Sequence, residues 1–180
     1  MNRNSPSLSA WTTAGLYLFG AALFFWPLAD LVTNTMPPHP GDLQWRYGFG
    51  GLMAAYLNTP ILGLVLLTFL AYWLRHRKTL RFLSVFEILM AVGLIVVMAT
   101  FALDLIQVRA SRPEAARAAV LAGGTIAILK HVTGATVLSL LGIGSWRTAT
   151  RMAARLPRDE AEQAGVVSRR SAPQAKASRQ

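Results

Sequence analysis

Four long apolar runs separated by short polar segments dominate the pattern of this chain. They lie at roughly Trp11–Thr33, Tyr47–Leu74, Leu80–Gln107 and Ala116–Trp146. Well inside them only Asp30, Glu87, Asp104 and Lys130 carry formal charge. A helix of about 20 apolar residues crosses a bilayer core of about 30 Å. Each run meets that length, so the pattern predicts an all-α polytopic membrane protein, a four-transmembrane-helix bundle. What remains is too short for a soluble domain of ordinary size. The organisation read from the pattern is a disordered cytoplasmic leader (1–10) and the transmembrane domain (11–146). A juxtamembrane basic helix (147–157) and a disordered cytoplasmic tail (158–180) follow.

Charge orients the bundle. The formal net charge is +10, but the basic residues are not spread evenly. Arg75, Arg77, Lys78 and Arg81 fill the link between the second and third runs, and Arg3 precedes the first. Arg147, Arg151, Arg155, Arg158 and further basic residues follow the fourth. The other two links and their helix ends hold Arg46, Arg109, Arg112 and Arg117. Lys and Arg accumulate on the cytoplasmic side. Both termini are therefore expected inside, an N-in/C-in topology. Read this way the excess is a topology signal and not a nucleic-acid-binding surface. Trp11, Trp73 and Trp146 fall at expected inner ends and Trp26 and Trp45 near outer ends, where amphipathic aromatics prefer to sit. Ala- and Arg-rich usage points to a bacterial plasma (inner) membrane.

The links carry turn and cap signals. Met36-Pro37-Pro38-His39-Pro40-Gly41-Asp42 is stiff, and Asp42 is placed to cap the next helix. Ser111, Pro113 and Glu114 have the spacing of a cap for the fourth helix. The tight link at Arg75–Arg81 makes the second and third runs antiparallel neighbours. Arg147, Arg151 and Arg155 recur every fourth residue, so they share one face and form a site for anionic lipid headgroups. Pro157 is expected to end that helix.

Lys130 is the sharpest chemical signal. A central lysine costs about 2.5–3.5 kcal/mol on translocon scales and needs a partner or a wet cavity. At about 100° per residue, Gly123, Ala127, Lys130 and Gly134 share a stripe, as do Gly51, Ala55 and Asn58. Small residues admit a neighbouring helix closely. Pro60 frees a backbone carbonyl one turn earlier. Asn58 lies 12 residues beyond Arg46 and Lys130 lies 13 beyond Arg117, which suggests one depth. The expectation is a buried polar cluster of Asn58, Thr59 and Lys130, neutralised by Asp104 or Asp30. Those acids are favoured because helical side chains lean toward the N-terminus of their helix. Glu87 is expected to pair or snorkel near Arg81.

His131 adjoins Lys130 as a packing histidine or a ligand. Haem or chlorin ligation is disfavoured, since His39 and His76 lie in opposite links and leave no second histidine at its depth. No cofactor or metal is predicted. There is no cysteine, which removes thiolate and disulfide chemistry. No nucleophile–base arrangement or phosphate loop stands out. Two function classes remain. One is a non-enzymatic accessory or assembly (scaffold) subunit of a larger membrane complex, with other subunits or copies of itself as partners. The alternative is a small proton-coupled or small-solute transporter using Lys130 with Asp104 or Asp30.

Overall fold

The computed structural model describes the backbone of residues 9–170 and the side chains of residues 9–154. It is all-helical among those residues. The helices are α1 (Ala10–Thr35), α2 (Leu43–Tyr56), α3 (Asn58–Trp73), α4 (Arg77–Ser111) and α5 (Glu114–Arg170). By length and composition α1, α4 and α5 are able to cross a membrane, and α2 with α3 make a fourth such element if taken together. The surface agrees. Large apolar side chains such as Phe25, Leu62, Phe82, Leu89, Leu103 and Leu140 are exposed, a density that suits lipid and not water.

Local chemistry sets the boundaries. Ser9 caps α1 by accepting from the Thr12 amide at 3.1 Å, and Asp42 caps α2 by accepting from Gln44 at 2.9 Å, as its position predicts. The run expected as one span, Tyr47–Leu74, is two helices bent by 46°. Pro60 is the cause, because it lacks an amide proton and its ring crowds the carbonyl one turn back, at Tyr56. After α3 the chain reverses on Arg75, which takes φ 56°. The His76 amide donates to the Ala71 carbonyl at 2.9 Å and the Arg75 amide to Tyr72 at 3.2 Å. That is the Schellman pattern, here with arginine where glycine is usual.

Two readings of helix ends also need correction. Ser111 does not cap α5. It is the last residue of α4, and its hydroxyl turns back to the Val108 carbonyl at 2.9 Å, the usual competition of serine for nearby backbone. Helix α5 also does not stop at Pro157 but continues to Arg170. The stretch Arg158-Asp159-Glu160-Ala161-Glu162-Gln163-Ala164 is rich in helix formers, which favours continuation. The expected disordered leader falls almost wholly outside the described residues, as does the tail beyond Arg170.

Helices α4 and α5 form a long antiparallel hairpin. Gly142 of α5 is seated on α4, where a Cβ would meet Ile88 Cγ1 at 2.7 Å and the Ser84 carbonyl at 3.1 Å. Ser84 donates to the Gly142 carbonyl at 2.6 Å across the same contact. At the other end Gly124 lies against Leu105. Helix α1 packs on α3 and α2 and has no packed face on α5. Its tightest point is Gly63 of α3 against the backbone of α1 at Gly20 and Phe24. Leu64, Leu80, Leu94 and Leu138 are buried in the main core between these helices.

Candidate functional site: a lysine groove beside an ion pair

Asp104 of α4 is buried, and it is taken by Arg46 of α2. The guanidinium donates through Nη2 to Oδ1 at 2.8 Å and through Nε to Oδ2 at 3.1 Å. Nη1 donates to the Pro40 carbonyl at 3.1 Å. This fork matches the planar carboxylate and ties α2, α4 and the 36–42 link together. It is the sole ion pair among the described residues.

The pair also fixes a level across the bundle. Arg46 meets Asp104, and the neighbouring Leu105 meets Gly124 of α5. Lys130 lies six residues beyond Gly124, so it is displaced along α5 by about 9 Å from Asp104. Asn58 lies twelve residues beyond Arg46, roughly 18 Å along the chain axis before the bend is counted. The expected common depth of Asn58 and Lys130 therefore fails. Its premise equates Arg46 with Arg117, whereas Gly124 is the α5 residue at the level of the fork, and Arg117 precedes Gly124 by seven residues.

The five residues expected in one polar cluster are not brought together. Asn58 and Thr59 are exposed at the start of α3, where the break at Leu57 carries them off the line of Gly51 and Ala55. Asp30 is half-buried on α1 and has no ion-pair partner among the described residues. Lys130 is half-buried and likewise unpaired among them. It lines a groove of about 350 Å³ between α2 and α5, with Gly48, Gly51, Ala55, Gly123 and Ala127 along the walls and Phe101 of α4 below. A Cβ added at Gly48, Gly51 or Gly123 would touch nothing within 4 Å. The stripes therefore border open space at Gly48, Gly51 and Gly123, whereas Gly134, at the far end of the α5 stripe, is packed against Leu57, Ile61 and Leu94.

His131 is fully buried beneath the ring of Phe101, with ring centroids 6.2 Å apart. Its Nδ1–H donates to the Ala127 carbonyl at 2.8 Å, which leaves the lone pair on Nε2 without a partner among the described residues. Arg147 and Arg151 are exposed on α5, and the side chain of Arg155 lies outside the described ones.

The partner of a second polar group escapes sequence reasoning. Glu87 of α4 is fully buried and does not reach Arg81. Its Oε1 accepts from the Thr68 hydroxyl of α3, and its Oε2 has no partner among the described residues. Thr68 and the buried Ser145 line a lateral groove of about 310 Å³ between α3 and α5. An acid inside an apolar run is visible in the sequence, but its threonine partner is nineteen positions away on another helix. No family model, curated protein or solved structure matches this chain.

Proposed function

We propose that this protein is a non-enzymatic accessory or assembly subunit of a larger membrane complex. In this reading α2 and α3 are one broken span, giving four spans, with both termini cytoplasmic in a bacterial inner membrane. The basic linker at 75–81 and the arginines after Trp146 support that orientation. Arg147, Arg151 and Arg155 then lie where anionic headgroups gather.

One observation carries the functional reading. Lys130 sits within the apolar run of α5 in an open, glycine-walled groove, and no described carboxylate of its own chain neutralises it. An intramembrane lysine pairs with an acid or faces water. A glycine- and alanine-lined groove admits a helix at short range, so an added helix bringing a carboxylate satisfies both requirements at once. The transporter alternative pairs Lys130 with an acid of the same chain, and the fork to Arg46 already occupies Asp104.

Purification in mild detergent tests the reading. The wild-type chain is expected to run as a stoichiometric complex. Lys130→Met, close in length and uncharged, is expected to fold but leave that complex. If Lys130→Met stays assembled while solute or proton flux is lost, the transport reading replaces this one.

A further inference from the structure

Of the four charged residues inside the apolar runs, Asp104 is held by Arg46 and Glu87 by the Thr68 hydroxyl. That leaves Lys130 on α5 and Asp30 on α1, of opposite sign, with no side-chain partner among the described residues. Resting on the assembly reading above, we infer that the helix filling the Lys130 groove is α1 of a second copy of this chain, docked so that its Asp30 pairs with Lys130.

The levels match. Trp45 of α2 donates through its indole N–H to the Thr35 carbonyl at 2.9 Å, which sets the end of α1 beside Trp45. The next residue, Arg46, holds Asp104, and Leu105 meets Gly124. Thr35 and Gly124 thus lie close to one level of the bundle. Asp30 is five residues inward from Thr35, about 7.5 Å, and Lys130 is six inward from Gly124, about 9 Å. The remaining offset is smaller than the reach of a lysine side chain, which leans back toward Gly124.

The pair does not form within one chain, because α1 and α5 share no packed face. Helix α1 is an edge element suited to docking. It is held by α2 and α3, while Trp26 and Val32 near Asp30 are exposed. The groove offers the complementary surface, since its glycines have open space where a neighbour's side chains would lie. Each copy carries one knob and one groove at different places. All charges are satisfied only when the contacts close, as a reciprocal dimer or a ring.

The absence of cysteine makes the test clean. Thr33, one turn from Asp30, is changed to cysteine in one copy, and Ile126, which lines the groove, in another. Both charges stay intact. The two proteins are co-expressed with different tags and oxidised in membranes. Disulfide-linked mixed dimers are expected from this pair, with none from Thr33→Cys paired with Leu103→Cys on the far exposed face of α4. A charge exchange gives the second readout. Lys130→Asp and Asp30→Lys alone are each expected to weaken self-association by roughly 100-fold or more, the scale of stranding one buried charge. The double exchange is expected to restore it. Absence of mixed dimers together with no restoration overturns the inference. If the wild-type chain then co-purifies with a different membrane protein that Lys130→Met releases, the assembly reading stands and only the choice of partner falls. A chain that is monomeric and unaffected by any of these changes overturns both.

Discussion

Arg46 and Asp104 hold one another asymmetrically: the carboxylate is buried, with a side-chain exposure of 5%, while the guanidinium keeps 36% of its surface open. The two halves of this pair should therefore respond differently to mutation. Arg46→Met strands a buried carboxylate, whereas Asp104→Asn leaves a cation that still reaches its surroundings and the Pro40 carbonyl. We expect Arg46→Met to lower the melting temperature in detergent clearly more than Asp104→Asn. The double variant should recover part of the Arg46→Met loss. Equal losses from the two single variants would mean that the fork does not organise this end of the bundle.

The α1–α3 crossing depends on the absence of one carbon. A Cβ at Gly63 would sit 2.8 Å from both the Gly20 carbonyl oxygen and the Phe24 amide nitrogen. Those are backbone atoms and cannot swing aside, so α1 has to move. Gly63→Ala is expected to destabilise by about 1–3 kcal/mol, the usual cost of overpacking. Gly93 is the matched control. It is also inside a helix, and nothing lies within 4 Å of its Cβ position. Alanine there should be neutral or stabilise by up to about 1 kcal/mol through helix propensity. Thermal unfolding of the two variants compares them, and similar melting temperatures would contradict the close crossing.

Glu87 and Thr68 form a pair whose energetics are set by burial. Thr68→Val removes the hydroxyl and leaves a buried carboxyl oxygen without its donor, which should cost about 1–3 kcal/mol. Replacing both partners by apolar groups of similar shape, Thr68→Val with Glu87→Met, should recover most of that loss, because no polar atom is then stranded. A double-mutant cycle reads the coupling directly. Strictly additive losses would show that the hydroxyl–carboxyl contact contributes nothing.

Helices α1, α4 and α5 are legible in the apolar runs because a membrane-length helix needs only composition and length. The Asp42 cap is legible because capping is local. Pro60 stands out in the sequence, yet the bend it causes does not, since a proline in a helix gives no angle until neighbours pack around it. Glu87 turns to Thr68 on another helix and not to Arg81 on its own, while Asp104 is taken by Arg46 and Asn58 and Lys130 do not share the expected level. Pairing across helices depends on their relative register, and counting from Arg46 and Arg117 assumes that α2 and α5 start level. The Arg46–Asp104 fork and the contact of Leu105 with Gly124 together show that they do not. The small residues at Gly51 and Gly123 do mark surfaces open to close approach, but nothing in the sequence says that the chain leaves them unfilled.

Orientation gives the last prediction. Arg75, Arg77, Lys78 and Arg81 crowd the turn between α3 and α4, whereas the link between α1 and α2 has Arg46 alone at its end, already committed to Asp104. The positive-inside bias counts residues near helix ends in short loops, and both links are short. The α3–α4 turn should therefore face the cytoplasm and the α1–α2 link the outside. With no native cysteine to interfere, Thr79→Cys should react with an impermeant thiol reagent only after permeabilisation. Gln44→Cys, exposed at the start of α2, should react in intact cells. Labelling of Thr79→Cys from outside would invert the topology. The same result would move Arg147 and Arg151 away from the cytoplasmic leaflet and remove the basis for headgroup binding, because that attraction depends on the anionic lipids of that face.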